Sequence, residues 1–124
     1  MIWLSIAVGG AIGSVLRHLV AVATLRWYGE VVPAAVAAIN MTGCFLIGLA
    51  AGMIAAGQWM PQETVRAFVF VGILGGFTTF SSFGLDTLIL VREQRLVLAA
   101  VNVAGQVVLG ISAVFIGYAL TGRR

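Results

Sequence analysis

The sequence predicts an all-α membrane protein of four transmembrane helices whose third helix is broken. Three observations predict it. Of the 124 residues, 61% are hydrophobic and 9% charged, against about 25% charged in a typical soluble domain. Four nearly charge-free windows, at residues 2–25, 31–57, 67–91 and 96–121, each exceed the roughly 20 residues that a spanning helix needs. The third window contains Gly75-Gly76-Phe77-Thr78-Thr79-Phe80-Ser81-Ser82-Phe83, where glycines, four hydroxyls and three aromatics interrupt the apolar run. An irregular backbone survives at membrane depth only where protein covers it or it lines a cavity. This motif therefore marks the expected functional site.

The first span, Ile2 to Leu25, is interrupted only by Arg17 and His18. It lacks the basic leader of a secretory signal and three further spans follow, so it is expected to remain in the mature chain. The second, Val31 to Gly57, holds no charge. The third, Ala67 to Val91, holds only Asp86, and the fourth, Leu96 to Thr121, holds none. Polar or turn-prone connectors lie at Arg26 to Glu30, at Gln58 to Arg66 with Pro61, and at Arg92 to Arg95. The whole of residues 1–124 reads as one transmembrane domain with no repeat. The mean hydropathy is +1.11.

All seven basic residues are arginines, most of them flanking spans, and the pI is near 10. That placement suits lipid headgroups and gives no reason to expect nucleic acid. The single cysteine, Cys44, sits mid-span and suits packing, not a disulfide framework.

Arginines in short loops normally set orientation. With four spans, one side holds Arg66, Arg123 and Arg124. The other holds Arg26, Arg92 and Arg95, plus Arg17 if its side chain reaches that surface. The absence of a bias predicts dual topology, and from it an antiparallel homodimer with a two-fold axis in the membrane plane. Four short helices are also too few to enclose a polar path by themselves. Small residues recur at four-residue spacing: Gly9 and Gly13, Gly48 and Gly52, Gly72 and Gly76. Such spacing serves close packing within a subunit or between subunits, and dual insertion favours the second.

Asn40 lies near the middle of the second span, where an amide must find partners. It either bridges helices or offers its NH2 to an anion. Asn102, Gln106 and Gly110, at i, i+4 and i+8, share one face of the fourth span. They form either an interhelical bridge or a hydrated track, and two amides on one stripe favour the track. Arg17 either concentrates anions at a pore mouth or anchors the helix. His18 reads as a packed or interfacial side chain. Asp86 could face a vestibule, cap a helix or pair with Arg17. Phe80 and Phe83, three apart, share a helix face, and ring edges carry positive quadrupole character suited to weak anion contact. The Gly75-Gly76 break should free backbone carbonyls, which suit small hard cations. A simple kink relieved by the Thr78 or Thr79 hydroxyl is the plainer reading.

Taken together, Gly9-Gly10 with Gly13 and Arg17, Asn40 with Gly43, and the GGFTTFSSF motif resemble the bacterial fluoride channels of the CrcB/Fluc family along nearly the whole chain. The resemblance implies a passive fluoride exporter in the inner membrane. It would be an antiparallel dual-topology homodimer with two pores and a structural sodium ion on its axis. By the same resemblance, Phe80, Phe83, Ser81 and Asn40 match pore positions. Gly75 and Thr78 match the backbone carbonyls that hold the sodium, and Arg17 matches the first-helix arginine. Asn102 and Gln106 fall on the fourth-helix track, whose polar positions vary in the family. Two departures stand out. Ser82 replaces the usual threonine, and Asp86 stands where glutamate is usual.

Rival classes fit less well. A small proton-coupled multidrug exporter needs a carboxylate in its binding span, and the first span has none. A structural, haem-carrying subunit of a larger complex needs placed ligands, and one histidine is a poor start. An enzyme is not expected, for want of any nucleophile–base pair or metal cluster.

Overall fold

The structure, a computed structural model, describes residues 1–29 and 33–122. Among them there is no strand, and four helices are long and apolar enough to cross a membrane. Helix α1 is Ile2–Tyr28 and α2 is Ala34–Ala55. The third span, Glu63–Arg92, is divided. Its first half, α3, covers residues 63–77, and its second half, α4, is Phe80–Arg92. Helix α5 is Leu96–Thr121.

The expected fourth span matches α5 in both bounds. The other three differ at their ends, because charge marks where lipid stops and not where a helix stops. Arg26, Trp27 and Tyr28 continue α1, and Glu63 to Arg66 form the first turn of α3 instead of a connector. The expected start of the second span at Val31 lies outside the described residues, as do Arg123 and Arg124 from the orientation count.

Two pairings organise the bundle, α2 against α5 and α1 against α3. Both depend on glycine. A Cβ on Gly9 would lie 2.6 Å from the Phe68 carbonyl, and one on Gly76 would lie 2.6 Å from that of Gly10. One on Gly48 would run into the backbone of Val114. Bare glycine faces let helix axes close to backbone contact. All six glycines of the four-residue spacings therefore face backbone or side chains of their own chain. The expectation that they serve a dimer contact gives way to packing within the subunit.

Helix α3 holds a feature that hydropathy does not signal. Residues Ala67–Leu74 are π-helical. π-Turns interrupt α-helices mostly as short insertions, often at functional positions. Here the widened stretch is the one laid against α1.

Helices α2 and α4 end in the same way. Gly57 N–H donates to Ile54 O (3.0 Å) and Gln58 N–H to Met53 O (2.9 Å). Gln94 N–H donates to Val91 O (3.0 Å) and Arg95 N–H to Leu90 O (2.8 Å). Both pairs form the Schellman pattern, which needs a left-handed residue at its turn. Gly57 takes φ 69° without penalty, whereas Gln94 takes φ 59° with a side chain. Gln94→Gly is expected to raise thermal stability in detergent, by roughly 1 kcal/mol. Gly57→Ala should lower it by a similar amount, both read from unfolding midpoints.

Candidate functional site: the break in the third span

The break is two residues wide. Thr78 (ψ 158°) and Thr79 (φ −150°, ψ 114°) are extended between α3 and α4. Side chains secure both ends. Thr78 Oγ1 donates to the Leu74 carbonyl (3.0 Å), closing α3. Thr79 Oγ1 accepts from Ser82 N–H (3.2 Å) and donates to Ser82 Oγ (3.0 Å), capping α4. It also lies 3.3 Å from Ser81 Oγ. A threonine followed three residues later by an N–H to accept is a common helix start. The hydroxyl relief expected of a simple kink is thus present at both threonines.

Asn40 holds the extended segment from across the bundle. Its Oδ1 accepts from Thr79 N–H (2.9 Å), and its Nδ2 donates to Thr79 O (3.1 Å). One amide thereby satisfies both backbone groups of a residue that no helix serves. In an unbroken helix Thr79 N–H would close on the Gly75 carbonyl, so the Asn40 contact diverts that donor. Nδ2 also donates to Gln106 Oε1 (2.8 Å). Both amide hydrogens of Asn40, expected to face an anion or bridge helices, are engaged within the chain.

The polar contacts continue along α5. Gln106 Nε2 donates to Asn102 Oδ1 (2.8 Å), and Asn102 Nδ2 donates to Thr87 Oγ1 (3.0 Å). Thr87 Oγ1 donates in turn to the Phe83 carbonyl (2.8 Å). Asn102 is only 5% exposed, and among the described residues every buried side-chain polar atom has a partner. Thr87 is the member that sequence reasoning missed. Its one signal is a hydroxyl four residues after Phe83, the spacing at which threonine bonds back to a carbonyl.

A cavity of 360 Å³ opens beside the break. Asn40, Gln106, Gly75, Thr78, Phe80 and Phe83 all line it, together with apolar side chains of α2 and α3. The Phe80 and Phe83 rings lie 5.3 Å apart, inclined at 49°. Phe80 is 82% exposed, so this wall of the cavity is open. A second cavity of 250 Å³ between α2 and α5 shares Met41 and Gln106 with the first and is also lined by Asn102.

Other expected residues stand apart. Asp86 lies in the interior of α4, which rules out a cap, and the one ion pair among the described residues is Arg95 with Glu93 at 3.6 Å. Asp86 and Arg17 therefore do not pair within the chain. Arg17 is half-buried on α1, His18 beside it is exposed, and Gly110 packs near the Met41 and Cys44 side chains. Among the described residues no group of three His, Cys, Asp or Glu side chains could hold a metal. With Thr79 N–H diverted to Asn40, the Gly75 carbonyl lacks its helical donor, and Gly75 and Thr78 both line the cavity.

Residues 4–118 match the sequence profile of the family described as CrcB-like protein, Camphor Resistance (CrcB). The chain belongs to the CrcB family. Its similarity to individual members is nearly full-length. It is 44% identical over 117 residues to the fluoride-specific ion channel FluC of Rhodospirillum centenum, covering 94% of this chain and 92% of that one. With the FluC of Nitrobacter winogradskyi identity is 43%, over 92% of this chain and 90% of the relative. With that of Agrobacterium fabrum it is 45%, over 93% and 91%. The four apolar helices and the broken third one are thus the frame of a CrcB-family membrane protein.

Proposed function

We propose that this chain is a fluoride-selective channel, passive and not enzymatic, that works as an antiparallel pair of copies in the bacterial inner membrane. The observation that carries the reading is the near full-length likeness to proteins named fluoride-specific ion channels. The geometry supports it. Fluoride is small and strongly hydrated, so a path for it must supply donors in place of water. Gln106 of α5, Phe80 and Phe83 line one cavity, where an amide donor would give a firm anion contact and ring edges weak ones. Weak contacts permit exit as well as entry. Ser81, exposed at the first turn of α4, adds a hydroxyl 3.3 Å from Thr79 Oγ1.

The second copy completes what one chain leaves open. Phe80 faces outward from an unfinished wall, and an oppositely oriented partner would close it and duplicate the path. At the axis the Gly75 and Thr78 carbonyls of the two copies would hold a sodium ion. That ion would supply fixed positive charge and tie the two breaks together. Fluoride that has entered as neutral HF and dissociated inside would then leave down its own gradient.

Liposomes loaded with fluoride and reconstituted with the purified protein test the reading. They are expected to release fluoride and to retain chloride. Vesicles that keep their fluoride overturn it.

A further inference from the structure

The direction of every hydrogen bond along the amide chain follows from one atom. A peptide N–H can only donate, so Asn40 must present Oδ1 to Thr79 N–H (2.9 Å). Its Nδ2 is then fixed as donor to Thr79 O and to Gln106 Oε1. Gln106 must in turn present Nε2 to Asn102 Oδ1, and Asn102 must present Nδ2 to Thr87 Oγ1. The far end agrees with the near end. Thr87 spends its only hydrogen on the Phe83 carbonyl, leaving its oxygen to accept. Reversing the chain would set two donors face to face at Thr79 and take the Thr87 hydroxyl away from Phe83 O, whose helical N–H partner would remain.

Each side-chain amide has two hydrogens. Asn40 uses both inside the chain. Gln106 and Asn102 each use one. Resting on the fluoride reading above, we propose that Thr87 is a positioning residue that terminates a one-way amide chain, so that the hydrogens left for the anion belong to Gln106 and Asn102 and not to Asn40. These two side chains lie one turn apart on α5. Gln106 lines both cavities and Asn102 lines the second. If the Thr87 hydroxyl merely satisfied its own helix, its loss would leave the amides in place. If it terminates the chain, its loss frees Asn102 to turn.

Two variants and one spectroscopic readout decide between these. Thr87→Val keeps the shape and removes the hydroxyl, whereas Thr87→Ser keeps the hydroxyl. Fluoride efflux from liposomes is expected to fall about tenfold in Thr87→Val and to recover in Thr87→Ser. In fluoride-free protein with 15N-labelled side-chain amides, Thr87→Val should shift Asn102 most, Gln106 less and Asn40 least. Thr87→Ser should leave all three near their original positions. Adding sodium fluoride to the unaltered protein should move one hydrogen resonance each of Gln106 and Asn102 and neither of Asn40, with sodium chloride moving none. Parental flux in Thr87→Val, unmoved amide resonances in that variant, or a fluoride response at Asn40 would each overturn the proposal. Absence of flux from the unaltered protein would sink the channel reading instead, while the fluoride-free resonances would still decide the chain.

Discussion

Asn40→Asp is expected to reduce fluoride flux by about a hundredfold or more, measured as efflux from liposomes. The substitution is nearly isosteric and still accepts from Thr79 N–H. It deletes both amide hydrogens, so Thr79 O and Gln106 Oε1 lose their donor together. A buried acceptor left without a donor costs about 1–3 kcal/mol, and here two are affected at the point where the third span breaks. Gln106 can recover only by turning its NH2 toward the new carboxylate. That turn propagates to Asn102 and asks Thr87 to donate where it now accepts. The added negative charge also repels an approaching anion. Asn40→Ser, which has one hydrogen to offer, should fall between the two. Efflux from Asn40→Asp at the parental rate would remove this amide from any part in conduction.

The second large effect is expected at the aromatic pair. Phe80→Ile and Phe83→Ile should each lower fluoride flux about tenfold, the factor corresponding to loss of one favourable ring-edge contact. Phe80 is the cleaner test. It is 82% exposed, so little packing within its own chain depends on it. Phe83 is half-buried, so its replacement also bears on packing within its own chain. Size-exclusion profiles of the two variants should match the parent. Unchanged flux in Phe80→Ile with an unchanged profile would remove this ring from the path.

The architecture was largely legible because its causes are local. Charge-free length specifies a span, and adjacent glycines beside paired threonines specify an interruption. Helix ends were less legible, since Glu63 to Arg66 look like a loop by charge and fold as a helical turn. The π-helical stretch Ala67–Leu74 carries no compositional mark at all. Glycine spacing revealed that helices meet closely but not which ones, because the partners come from distant segments. The same limit applied to the site. Asn40, Gln106 and Asn102 could each be named as polar groups in lipid. Their order could not, for it depends on Thr79, whose contribution is a main-chain group 39 residues away.

The contact between Thr79 N–H and Asn40 has a practical corollary for mutagenesis. Alanine scanning edits side chains, and an alanine at position 79 would still carry the hydrogen that orients three amides. Such a scan would rank this position by its hydroxyl alone and overlook its larger contribution. Proline substitution or amide-to-ester exchange, both of which erase that hydrogen, would expose it.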